Sequence, residues 1–325
     1  MRTSALLHLV GAAWLLAPPV AFAQRFPFER TLDVAGPTKL DVSTVRGRIE
    51  IVAGMAGRVL VNGDVTVRAG WDVPASAVEL ARKLANAPPI EHDGNAVRLR
   101  TPADDATQRA VTISYRVQVP PNTEVHSVSN SGATSIRGVA APVDVRTQSA
   151  AIVLKDLSGA VRVTTGSGAV SAENVTEGLA VNTTSSSFRG TALGSSLRLQ
   201  TQSGDVDATF TGKGDVEVET GSSAIRLRGV NGGLTATTES GRLTVQGAPR
   251  RDWVATTGSS SVTFEIEPGI GVSIDAVSRS GDVVVDGAVQ GSIGKHAVNG
   301  SVSGGGPTVR VSSGSGSIRI QIGSR

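Results

Sequence analysis

The chain has 325 residues, no cysteine, 31 Lys and Arg against 28 Asp and Glu, and only 3% aromatic residues. Without cysteine there is no disulfide framework and no thiol for a lipid anchor. A net charge of +3 with so few aromatic rings excludes the basic stripe with interleaved aromatics of a nucleic-acid binder.

The first 23 residues have the anatomy of a secretory leader. Arg2 is the positive start, Ala5 to Leu16 the apolar run, and Ala21-Phe22-Ala23 the small-x-small cleavage signal. The run is too short to span a bilayer and ends at Pro18-Pro19. Cleavage after Ala23 is expected, leaving a mature protein that starts at Gln24 and has lost the one charge of Arg2. No later stretch is apolar enough to cross a membrane as a helix, and the strands are too short for an outer-membrane barrel. The expected location is periplasmic or extracellular, without a transmembrane anchor.

Residues 24–122 read as an N-terminal α+β cap that already contains one repeat-like phrase, Leu40 onward (LDVSTVRGRI). Strand-like runs follow at Arg58 to Arg68, Val97 to Thr101 and Val111 to Val119. Between them Ala75 to Ala87 (ASAVELARKLANA) sets Val78, Leu80, Ala81 and Leu84 on one side of a short amphipathic helix.

Residues 123–325 repeat. The phrase V-x-V-x-T-x-S-G-x-V starts at 125, 143, 161, 179, 197, 216, 234, 253, 274 and 309, mostly in steps of 18 or 19. A fixed period of this size marks a solenoid. Alternation such as Val161-Arg162-Val163 means half-buried strands. Further apolar positions follow nine residues after each start (Val170, Phe188, Val206, Ile225) and about five later (Val175, Leu193, Val230). Three short inward strokes per unit suit one turn of a right-handed parallel β-helix of about ten coils. Two hydroxyl columns, Thr165, Thr183, Thr201 and so on, then Ser149, Ser167, Ser185, Ser203 and so on, are expected to point inward at a corner. The next position alternates glycine with a small residue (Gly132, Ala150, Gly168, Ser186, Gly204), which would also fit two units per coil. Charge decides for one: it places Asp144 beside Arg162 and Arg198 beside Glu217, whereas two would stack Arg162 on Arg198. Gly287 to Pro307 reads as a loop excursion or degenerate coil before the last copy.

Catalytic patterns are scarce. His92, His126 and His296 stand in unrelated contexts without metal-ligand spacing. No phosphate loop and no nucleophile elbow occurs, and the many serines read as structural. The acidic candidates are Asp205 with Asp207, and Asp215, Glu217 and Glu219, whose alternation sets them on one outer face. Such carboxylates can bind calcium or act as general acid and base. Rung-to-rung pairing with Arg198 and Gln200 explains the same residues. Recurring Thr-Thr pairs do not form the flat threonine face of an ice binder, because their outward column also holds Arg146, Gln200, Glu219 and Val277.

The cap, the passage YRVQVPPNTEVHSVSNSGATSIRGV, the serial units and the ending GGGPTVRVSSGSGSIRIQIG together resemble the bacterial β-strand-repeat family labelled "putative adhesin". The resemblance covers Thr31 to the end. It implies an exported envelope protein with a β-helix fold, and it supplies no site residues. The reading is an exported, non-enzymatic β-solenoid serving as an adhesive or scaffolding surface in the cell envelope. Its expected partner is an envelope glycan or protein, with no cofactor, metal or catalytic residue assigned. The alternative is a carbohydrate-active β-helix enzyme, a polysaccharide lyase or hydrolase, using Asp205, Asp215 or Glu217. Convergent acids in a cleft would mark the enzyme, dispersed charge the scaffold.

Overall fold

A computed structural model describes residues 24–68 and 76–323. The leader with its cleavage site at Ala23, and Ala75 at the start of the expected helix, lie outside the described residues.

Each repeat unit contributes two strands rather than three. The first, as in Val161–Thr165, joins a parallel run in a 15-stranded sheet; the second, as in Val170–Val175, joins a 14-stranded sheet. Val143 pairs with Val161, Val161 with Leu179, and Leu179 with Leu197. One unit therefore makes one coil, and the chain is a flattened two-walled β-solenoid. The core is the row of inward residues between the walls: Val161, Val163, Val170, Ala172 and Val175 are all at most 3% exposed.

The third inward stroke belongs to the tail of the second strand. Asp156, Asn174, Ala192 and Gly229 sit there with φ of 54°, 53°, 54° and 74°. A left-handed residue breaks the period-two alternation, so the next residue (Leu157, Val175, Leu193 or Val230) turns back into the core.

At the corner between the strands, the threonine column is buried as expected and has a defined job. In several corners the hydroxyl accepts from the backbone N–H three residues on: Gly168 to Thr165 at 3.2 Å, Gly241 to Thr238 at 2.9 Å, and Gly316 to Ser313 at 2.8 Å; Thr147 and Thr183 instead donate to the carbonyls of Asn130 and Gly166 on the neighbouring coil. The bond from the N–H satisfies a corner donor that the ladder leaves unpaired. The serine column, in contrast, is exposed. The turn residue before it interrupts the strand parity, so the serines stand at the tip. There they donate their backbone N–H to the neighbouring coil, Ser167 to Gln148 O at 3.0 Å and Ser185 to Gly166 O at 2.9 Å.

Steric alternation explains the glycine pattern. Gly168, Gly204, Gly241 and Gly316 each lie directly against the carbonyl of a residue that carries a side chain, namely Ala150, Ser186, Ser223 and Ser260. Every second corner must be glycine because the coil closes down onto its neighbour there.

Both ends depart from chain order. Thr38–Thr44 pairs with Ala96–Leu99 on one side and Thr123–Ser129 on the other. Ile49–Ala53 likewise lies between Val111–Val119 and Thr134–Arg137. At the far end, Thr308–Ser313 lies between Trp253–Thr257 and Val272–Ser278, while Ile318–Ile322 lies between Val262–Ile266 and Val283–Asp286. The first and last copies are thus intercalated. Gly287 to Pro307 is neither loop nor coil in the main: it holds an antiparallel hairpin, Gln290–Ile293 with Ala297–Val302, laid against Val272–Ser278.

At the N-terminal end, Arg25–Asp33 and Arg58–Val67 continue the 14-stranded sheet in antiparallel sense. The helix Ala77–Asn86 packs on these strands through Ala77, Ala81 and Ala85, with Leu80 and Leu84 half-buried beside them. A second helix, Asp105–Ala110, has no amphipathic signal in the sequence. Asp104 caps it by accepting from the Thr107 N–H at 2.7 Å.

Candidate interaction surface

The outward positions of the two sheets form columns, and at several places opposite charges meet between neighbouring coils. Arg198 meets Glu217 at 2.9 Å, Lys155 meets Glu173 at 2.8 Å, Arg228 meets Asp207 at 2.9 Å, and Arg310 meets Asp275 at 3.0 Å. All are exposed pairs, each worth at most about 1 kcal/mol, so they specify register more than they hold the fold. Asp144 and Arg162 do occupy adjacent coils. The Asp144 carboxylate, however, takes Arg146 at 2.9 Å and His126 at 3.4 Å instead.

The acidic candidates do not converge. Asp207 lies on the outer face of the 14-stranded sheet, whereas Glu217 and Glu219 lie on the outer face of the other. Asp205 sits in the corner and accepts from the Ala224 N–H at 3.2 Å. Asp215 stands just before its strand, paired with Arg251 at 2.7 Å and with the Gly233 N–H at 2.7 Å. Glu219 accepts from the Gln200 amide at 3.0 Å. Each of these carboxylates has a partner that stabilises the coil stack. Among the described residues no group of three or more His, Cys, Asp or Glu could hold a metal ion. His92 and His296 contact the backbone carbonyls of Gly94 and Gly281, both at 2.8 Å.

Arginines also gather at one place that sequence reasoning missed. A groove of about 680 Å³ on the outer side of the 14-stranded sheet, at the capped end, is lined by Arg25, Arg46, Arg48 and Arg116 together with Glu50 and Asp64. Arg25 opens the first strand, Arg116 lies on Val111–Val119, and Arg46 and Arg48 form the corner of the intercalated first copy. That corner is held in place: the Arg48 N–H donates to Ser114 Oγ at 3.2 Å, and the Tyr115 N–H donates to the Arg48 carbonyl at 2.8 Å. Only Arg116 has a carboxylate, Glu50 at 3.0 Å; among the described residues Arg25, Arg46 and Arg48 have none within 4.0 Å. One signal was legible. Arg46 stands in the column where Ser131, Ser149, Ser167 and every later corner carry serine.

Two walls of parallel strands with one repeat per coil, closed by antiparallel strands on both walls at the N-terminal end and on one wall at the other, define a capped β-solenoid. Among the described residues no helix is long and apolar enough to cross a membrane. The chain belongs to the Toastrack DUF4097 family, whose model matches residues 117–321. Two solved structures are similar over most of their length. One is titled a "putative cell adhesion protein" from Clostridium sporogenes, 13% identical, covering 91% of this chain and 100% of that one, with a TM-score of 0.23. The other is titled a "putative adhesin" from Bacteroides fragilis, 12% identical, covering 90% and 96%, with a TM-score of 0.32. No curated protein matches the chain.

Proposed function

We propose that this protein is an exported, non-enzymatic β-solenoid whose outer faces serve as an adhesive or scaffolding surface in the bacterial cell envelope. The observation that carries the reading is the disposition of the acids. Asp205, Asp207, Asp215, Glu217 and Glu219 are spread over two opposite sheets, each tied to a partner on a neighbouring coil or corner. Hydrolysis or lyase chemistry needs two groups flanking one bond. A surface needs area instead, and fourteen stacked strands at about 4.8 Å each make a face roughly 60 Å long. Export rests on the leader before Gln24.

The test combines two measurements on the mature protein. Retention by washed bacterial envelope, without release of new reducing or unsaturated ends from polysaccharides, is the expected result. Release of such ends that disappears in Glu217→Gln or Asp215→Asn would overturn the reading in favour of an enzyme. Mass analysis of protein purified from cells should begin at Gln24; a species that retains Arg2 to Phe22 would sink the export step.

A further inference from the structure

We infer that the groove formed by Arg25, Arg46, Arg48 and Arg116 is a docking site for acidic glycan, a polymer carrying carboxylate or sulfate groups along its length. The inference rests on the adhesive-surface reading and names what that surface holds.

Charge is the first ground. Elsewhere on the sheet faces Arg198, Arg228, Arg310 and Arg319 meet an acid on the adjacent coil, and Arg137, Arg162, Arg189 and Arg226, which do not, are spread over both faces. Here three chain segments far apart in sequence, carrying Arg25, Arg46 with Arg48, and Arg116, bring four arginines to one groove, against Glu50 and Asp64 among the described residues. Glu50 is engaged by Arg116 through Nε and Nη2, both at 3.0 Å. Among the described residues the other three arginines have no acid partner, and the Arg46 guanidinium donates to the Gln108 carbonyl at 3.5 Å. A planar guanidinium fork matches a carboxylate or sulfate geometrically, which a lysine does not.

The repeat supplies the second ground. In the other corners the tip residue is serine and the residue before the second strand is commonly small, as in Ser149 with Ala151 and Ser167 with Ala169. The first copy has Arg46 and Arg48 at those two places while keeping the rest of the corner, including the buried Thr44 hydroxyl, which donates to Gly47 O at 2.8 Å. The coil geometry does not require arginine there, since the same corner is built without it elsewhere. The groove wall adds Asn62, Thr66 and Ser114, which can hydrogen-bond sugar hydroxyls. Among the described residues no stacking ring is exposed in the lining: Phe28 is buried over Gly63, and Tyr115 is turned inward with its hydroxyl on the Arg100 carbonyl at 3.1 Å. A single-stranded nucleic acid would call for such rings.

The experiment measures binding of the mature protein to immobilised polygalacturonate, dextran sulfate and neutral dextran at low and high salt. Binding to one or both acidic polymers, weakened by salt and absent for neutral dextran, is expected. Polygalacturonate and dextran sulfate separate carboxylate from sulfate as the recognised group. Arg46→Ser and Arg48→Ala put in residues that other corners already use, so folding should be kept. Each should weaken binding about two- to fivefold, and the double variant about tenfold. Asp64→Asn should strengthen it by a similar factor, an opposite sign that mere misfolding cannot produce. Arg189→Gln, on the same sheet but outside the groove, should change nothing. The inference is overturned if neither acidic polymer binds, if the double variant binds as the wild type does, if Arg189→Gln weakens binding equally, or if duplex DNA competes as well as the glycan. Envelope retention that persists when acidic-glycan binding is absent would sink the groove alone; wild-type protein that the envelope does not retain would sink the surface reading.

Discussion

Replacing Gly168 by alanine tests the account of the corners most directly. A Cβ built there falls 1.7 Å from the carbonyl oxygen of Ala150, 2.3 Å from its carbon and 2.9 Å from its nitrogen. All three are backbone atoms of a neighbouring coil, so no rotamer change can make room. Either the coil lifts, stretching the ladder between Val143–Thr147 and Val161–Thr165, or the corner opens and the bond from the Gly168 N–H to Thr165 Oγ1 is lost. Overpacking of this kind costs about 1–3 kcal/mol, and a lost buried hydrogen bond about 1 kcal/mol more. For a chain of this size that lowers Tm by roughly 3–10 °C. The mirror substitution, Ala150→Gly, adds no atoms. It should cost only the backbone entropy of a glycine, about 0.5–1 kcal/mol. Thermal melts of the two variants decide the matter. Equal shifts would refute the steric reading of the alternation and reopen the question of why every second corner is glycine.

Three further outcomes are expected. Ala192→Gly should stabilise the protein by about 0.5 kcal/mol in denaturant melts, because Ala192 sits at φ 54° and its left-handed strain exceeds the entropy that glycine adds. Leu199 is fully buried between Val181 and Val218, so Leu199→Asp should cost several kcal/mol. Its exposed neighbour behaves differently: Gln200→Asp loses one bond to Glu219 and sets two carboxylates side by side, at a cost of about 1 kcal/mol. Tyr115 is the one tyrosine in the chain, and burial pushes its hydroxyl well above the usual tyrosine value. Its contribution to stability is therefore intact below about pH 10 and declines as the unfolded state ionises above that. Tyrosinate absorbance that rises only together with unfolding would agree; a smooth titration near the ordinary value in the folded protein would not.

The alternating strands were legible because period two is strict within a five-residue strand, so Val161, Val163 and Thr165 had to share a face. Parity could not be carried through a corner, and the serine column was misplaced inward for that reason. The left-handed column was hidden because Asp156, Asn174, Ala192 and Gly229 have a torsion angle in common but no residue type. Arg198 with Glu217 was readable as a pair once the period was known. The arginine groove was not, since Arg25, Arg48 and Arg116 approach one another only after the antiparallel strands fold back. Nothing local in Val309 to Ile322 says that this copy slides in between two earlier ones.

Intercalation of the first and last copies bears on function as well as stability. A solenoid wound in strict chain order ends in coils held on one side only, and such ends fray or pair with another molecule. Here Thr38–Ala53 and Thr308–Ile322 have neighbours on both sides, and three of the four outermost places go to antiparallel strands, the fourth to Val283–Asp286. Closing the long connections costs little extra entropy, about 0.6 kcal/mol for each doubling of length. Folding should be slow for the same reason, because the terminal copies make only distant contacts. The corner that carries Arg46 and Arg48 belongs to one of these clamped copies. Gly47 lies against Gly132 on one side and against Ile113 on the other, so the corner cannot shift without moving both neighbours. The two off-pattern guanidinium groups are thereby mounted on one of the most constrained turns of the capped end, where holding them in place adds little further loss of backbone freedom on binding.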